Sequence, residues 1–206
     1  MTHTLHRKGT EENLTNDFVI LVMAAKGINE EAAAEKMREA LTIASRHNPV
    51  NMGDMKTGNI YATEFDEIIT KVQNTSIVHA VFTDLDTVTK AVKEIKEADL
   101  GISVVLSSTF ALARECAHKT GLTTHTVEYS LGIWGATEKL PPNDILEITT
   151  MCGHGMIASN LVSSLLERIK AGKITAHKAS LELAKACECG IFNPTRAEAL
   201  LEKMAS

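Results

Sequence analysis

Two short segments near the carboxyl end carry the residue types best suited to chemistry: Cys152-Gly153-His154-Gly155 and Cys187-Glu188-Cys189-Gly190. Each sets two soft donor side chains two residues apart beside glycine, and together they hold three of the chain's 4 cysteines. Ligands at that spacing on a turn can face one ion. Three thiolates and an imidazole are the donor set of a Cys₃His zinc site, or most of the shell of an iron–sulfur cluster. The expectation is a metal centre built from Cys152, His154, Cys187 and Cys189, with an iron–sulfur cluster ahead of zinc. Cys116 is the candidate fourth cysteine ligand, and His154 is the alternative. An iron–sulfur cluster there would serve redox or Lewis-acid chemistry on a small molecule, whereas zinc would be structural.

The same residues also admit metal-free readings. Cys152 precedes a helix N-terminus, an environment that lowers a thiol pKa and favours a nucleophile. Cys187 and Cys189 are poor disulfide partners for each other, because one intervening residue closes a strained ring. A further alternative is a regulatory or interaction protein whose helical tail forms a homo-oligomer through Met156, Leu161 and Leu165. Neither substrate nor reaction is written in these residues.

The elements that must position these segments follow from patterning. Residues 1–16 are polar and read as a loosely held arm. The continuous apolar run 18–25 suits a strand buried on both faces. Asn29 is then placed to cap a helix reaching about Arg46, and residues 48–62 form a long loop containing at most a short strand. A helix over 63–72 follows. Strands at 76–82 and 102–106 alternate with helices over 84–98 and 109–119, and 124–131 reads as a fourth strand. This alternation predicts an α/β domain over 17–142, with a small mixed or parallel sheet in a ferredoxin-like or doubly wound arrangement. Residues 143–206 read as a helical subdomain. Its two central helices form a hairpin about Gly172, which returns Cys187 to the neighbourhood of Cys152.

Composition limits the function classes. With 44% hydrophobic and 23% charged residues, the chain of 206 residues suits a globular fold. A formal charge of −5 argues against a general nucleic-acid binder. No apolar run approaches a membrane span, and the first residues lack a signal-peptide core, so a cytoplasmic protein is expected. In that compartment clustered cysteines are metal-binding or reactive more often than disulfide-bonded. The loops after the strands offer Lys26, Lys56, Ser107 and Ser108 as ligand-binding candidates, with Ser107 and Ser108 ahead of a helix N-terminus. Trp134, the single tryptophan, is expected to anchor the junction of the two parts. No nucleotide-binding glycine motif occurs.

Overall fold

The computed structural model describes residues 4–206. The apolar run becomes β1 (Phe18–Met23) at the heart of a five-stranded sheet. Its partners are β2 (Asn51–Asp54), β3 (Gly58–Asn59), β4 (Ile77–Phe82) and β5 (Ser103–Ser107), in the order β3-β2-β4-β1-β5. Every neighbouring pair is antiparallel. A one-turn helix α1 (Glu11–Leu14) precedes β1. Helices α2 (Ala33–Ser45), α3 (Phe65–Lys71), α4 (Leu85–Glu97) and α5 (Phe110–Lys119) follow β1, β3, β4 and β5. Setting aside the two-residue β3 and the short α3, β1-α2-β2-β4-α4-β5 is the βαββαβ arrangement, and the doubly wound parallel alternative does not apply.

Side-chain alternation divides the sheet into two buried faces. Phe18, Ile20, Val22, Met52, Ala80 and Phe82 pack with α2, α3 and α4. Val19, Leu21 and Val81 point the other way, into a core made with the carboxyl-terminal helices. Those helices are α6 (Asn143–Thr149), α7 (Ser159–Lys170), α8 (Ala176–Ala186) and α9 (Pro194–Ala205). Strand β1 is apolar at every position because helices cover both of its faces. The helical subdomain is therefore the second cover of the sheet, and the two cysteine segments lie in its turns.

Local chemistry sets several helix starts. Asp84, Thr175 and Asn193 each accept a hydrogen bond from the backbone N–H three residues on, opening α4, α8 and α9. Pro194 then occupies the first turn of α9, where a missing N–H costs nothing. Asn29 differs from expectation. Its side chain accepts from the Ala25 N–H at 2.7 Å and donates to the Gly101 carbonyl at 2.9 Å, closing the turn after β1, while α2 begins at Ala33.

Two further departures matter. The expected strand over 124–131 is absent: residues 123–134 take part in no backbone–backbone hydrogen bond among the described residues. Trp134 lies exposed in that segment and anchors no junction. The amino-terminal arm, by contrast, is pinned: Arg7 reaches into the core and pairs with buried Asp17. Among the described residues no helix is long and apolar enough to cross a membrane.

Candidate functional site

Cys152 lies in the turn after α6, Cys187 caps the carboxyl end of α8, and Cys189 sits in the turn before α9. The α7–α8 hairpin turns at Gly172, whose φ of +67° is the left-handed conformation such a helix end requires. The three thiols are buried and free of disulfides. They lie in sequence, Cys152 beside Cys187 and Cys187 beside Cys189, close enough that each perturbs its neighbour's proton affinity. At the far end of this row the Cys189 Sγ lies 3.5 Å from Nδ1 of the exposed His154.

The three thiols differ in proton affinity. Cys152 is raised above the ordinary thiol range, first by its hydrogen bond to Cys187 and then by burial. The backbone N–H groups of Met156 and His154 act in the opposite sense. Cys187 gains from the hydrogen bond it receives from Cys152. Its own bond to Cys189 and its burial outweigh that gain and push it up to about 12. Cys189 is lowered, chiefly because Cys187 donates to it, with the Ile191 N–H adding to the effect. The thiolate of lowest pKa is thus Cys189. The expectation of a low-pKa Cys152 is corrected: it is the hydrogen-bond donor at the head of the row, and a donor holds its proton.

Backbone contacts fix the row against the sheet. Gly190 has φ +78°, and a Cβ there would lie 2.6 Å from the Gly53 nitrogen and from the Met52 carbonyl carbon of β2. Two buried asparagines of the β2–β3 hairpin reach up to the turn. Asn59 donates to the carbonyls of Ala184 and Cys187 at 3.1 and 2.7 Å, and Asn51 donates to that of Phe192 at 2.9 Å. The Arg7 guanidinium donates to the carbonyls of Met151 and Ile191, so one side chain ties together the turns that carry Cys152 and Cys189. Asp17 balances its charge and also accepts from Arg196 at 3.3 Å. Sequence reasoning passed over these supports. The available signal was amide and carboxyl residues, Asp17, Asn51 and Asn59, placed against apolar strand sequence.

Beside the row opens a cleft of about 410 Å³, lined by Cys152, Gly153, Ile157, Thr150, Pro141 and His6 among others. Cys152 is the one member of the row that lines it. A small molecule entering there would meet the head of the row.

The expected metal centre is not formed. A Cys₃His site needs its donors aimed at one point roughly 2.0–2.3 Å from each. Among the described residues no group of three or more His, Cys, Asp or Glu side chains is placed to hold a metal ion. That finding overturns the iron–sulfur cluster and the zinc alternative alike, and with them the metalloprotein function. Cys116 is removed from the site altogether: it is buried in α5 within the core on the opposite face of the sheet. Burial raises its pKa.

The remaining candidates do not come together. Lys26 is exposed in the turn after β1. Lys56 bonds to Gln73 and Thr75, tying the β2–β3 hairpin to a neighbouring turn. Ser107 pairs with Val19 in the sheet register, and Ser108 follows it at the end opposite Lys26. In an antiparallel sheet the carboxyl ends of neighbouring strands alternate between the two edges. Lys26 and Lys56 follow β1 and β2, which run the same way with β4 between them, whereas Ser107 and Ser108 lie at the opposite end of the sheet. Comparison with family models, with curated proteins and with solved structures finds no match. The chemistry therefore rests on the side chains themselves.

Proposed function

We propose that this chain performs thiol–disulfide exchange on a small disulfide bound in the cleft, with Cys152 and Cys187 as the redox pair and Cys189 as the base. The observation that carries the reading is three buried, free thiols gathered in the turns around α8, with Cys152 alone of the three lining a cleft. Attack proceeds from the minor state in which Cys152 has passed its proton by way of Cys187 to the Cys189 thiolate, minor because Cys152 holds its proton the most tightly of the three. The Cys152 thiolate left behind is held by the N–H groups of His154 and Met156 and faces the bound disulfide, RSSR. Attack on sulfur forms Cys152–S–S–R and expels RS⁻, which takes the proton from Cys189. Cys187 then gives its proton to Cys189 and attacks the Cys152 sulfur. The second RS⁻ leaves as RSH. Two protein thiols and RSSR become a Cys152–Cys187 disulfide and two RSH, so two electrons and two protons pass to the substrate. Cys189 ends as it began. The reading suits a compartment in which thiols are kept reduced, where the oxidised pair would be restored by another thiol.

The test uses the reduced full chain and glutathione disulfide, with released thiol followed to completion. The wild type should release two thiols per chain. Cys187→Ser should stop at one and retain a mixed disulfide on Cys152. Cys152→Ser should release none at the wild-type rate. Unchanged stoichiometry in Cys152→Ser would remove Cys152 from the chemistry and with it the proposal.

A further inference from the structure

The segment between α5 and α6 and the free edge of the sheet are incomplete in complementary ways. Along residues 127–133 apolar side chains recur at every second position, Val127, Tyr129, Leu131 and Ile133, with Trp134 next in line. That is the pattern of a half-buried strand. Yet Val127 is 54% exposed, Tyr129 61%, Leu131 76% and Trp134 81%, and residues 123–134 make no backbone–backbone hydrogen bond among the described residues. At the sheet, β5 is an edge strand paired on one side only, with β1. Its Val104, Val105 and Leu106 are each only partly buried. An open edge beside an unpaired strand-competent segment is the situation natural proteins resolve by pairing.

The segment does not pair with its own β5. Tyr129 stacks edge-on against Phe110 at a centroid separation of 5.9 Å, and Ser130 meets His6 at 3.1 Å. These contacts hold the arm over the start of α5 and the amino-terminal segment. We propose that residues 123–134 add as a strand to β5 of a second copy of this chain, and that the exchange is reciprocal. Area favours a second copy over any single-sided occupant. The exposed apolar side chains of one arm offer roughly 400 Å². Two arms and the two edges that receive them together bury on the order of 1,600 Å², the size of a stable interface, whereas one arm on a foreign partner buries about half of that. Reciprocity also closes the assembly, leaving neither arm nor edge over.

Sedimentation of the full chain across a micromolar range, read together with Trp134 fluorescence, tests this. A dimer is expected, with blue-shifted emission that moves red as dilution dissociates it. Tyr129→Asp and Leu131→Asp lie on the exposed arm and should leave the helical circular dichroism unchanged, while weakening the dimer roughly 100-fold. A monomer with water-like Trp134 emission at every concentration would overturn the proposal. So would a monomer whose arm amides resist hydrogen exchange, which places the arm on its own β5. A dimer indifferent to both substitutions would put the interface elsewhere.

Discussion

Gly190→Ala probes the contact that seats the thiol row on the sheet, and Gly172→Ala supplies its control. Both glycines are left-handed, with φ +78° and +67°. An alanine in either place costs about 1 kcal/mol for backbone conformation alone. At Gly172 the new methyl group meets nothing within 4 Å, so that cost is the whole effect. At Gly190 it would lie 2.6 Å from the Gly53 nitrogen and the Met52 carbonyl carbon and 2.8 Å from the Met52 carbonyl oxygen. These are backbone atoms of β2, held between β3 and β4. The turn must lift or the strand must bend by several tenths of an ångström, an overpacking cost of roughly 1–3 kcal/mol more. Urea unfolding followed by circular dichroism should give about 3 kcal/mol for Gly190→Ala against about 1 kcal/mol for Gly172→Ala, with unchanged m-values. Lifting the turn should also speed alkylation of Cys189. Equal losses in the two variants would show that the turn does not rest on β2, and the positioning argument would fail.

Stability should fall as pH rises above about 9, because the unfolded chain releases the protons of Cys152 and Cys187 while the folded chain, whose values are raised, retains them. The lowered Cys189 acts in the opposite sense, with a contribution that grows as pH rises through its folded value. That gain is complete by about pH 9, so above it the two raised thiols set the slope, up to about 1.4 kcal/mol each per pH unit. A urea midpoint independent of pH between 8 and 10 would contradict the row, and Cys187→Ala should flatten the decline. Asp17→Ala leaves the guanidiniums of Arg7 and Arg196 buried without their shared carboxylate and should cost about 3–5 kcal/mol, measured by denaturation. A loss below about 1 kcal/mol would mean the arm is not pinned through this group. Asn59→Ala frees the carbonyls of Ala184 and Cys187 and should cost roughly 1–3 kcal/mol while exposing Cys187 to alkylation; unaltered alkylation kinetics would rule out its positioning role.

Much of the fold was legible because local and global signals agree. The unbroken apolar run of β1 demanded two covers, and the structure supplies them as α2 and α4 on one face and the carboxyl-terminal helices on the other. Gly172 marked the hairpin that brings Cys187 back to Cys152. Strand order and direction were not readable, since nothing in residues 77–82 records that they pair antiparallel with both β1 and β2. Residues 124–131 carry a strand pattern but pair with no strand of the described sheet, so the period alone misled. The metal expectation failed for a related reason. Spacing reports which side chains share a neighbourhood, whereas coordination depends on where their lone pairs point. Among the described residues no three such side chains are placed to share one ion. Arg7, Asn51 and Asn59 were missed because each acts on a turn more than a hundred residues away.

Peptide mapping by mass spectrometry, after the reduced protein has reacted with one equivalent of a small disulfide, tests the central claim most directly. The account predicts a single new cross-link joining the peptides of Cys152 and Cys187, with Cys189 recovered as a free thiol. A cross-link that includes Cys189, or three thiols that remain reduced while the cleft stays open to the reagent, would contradict it.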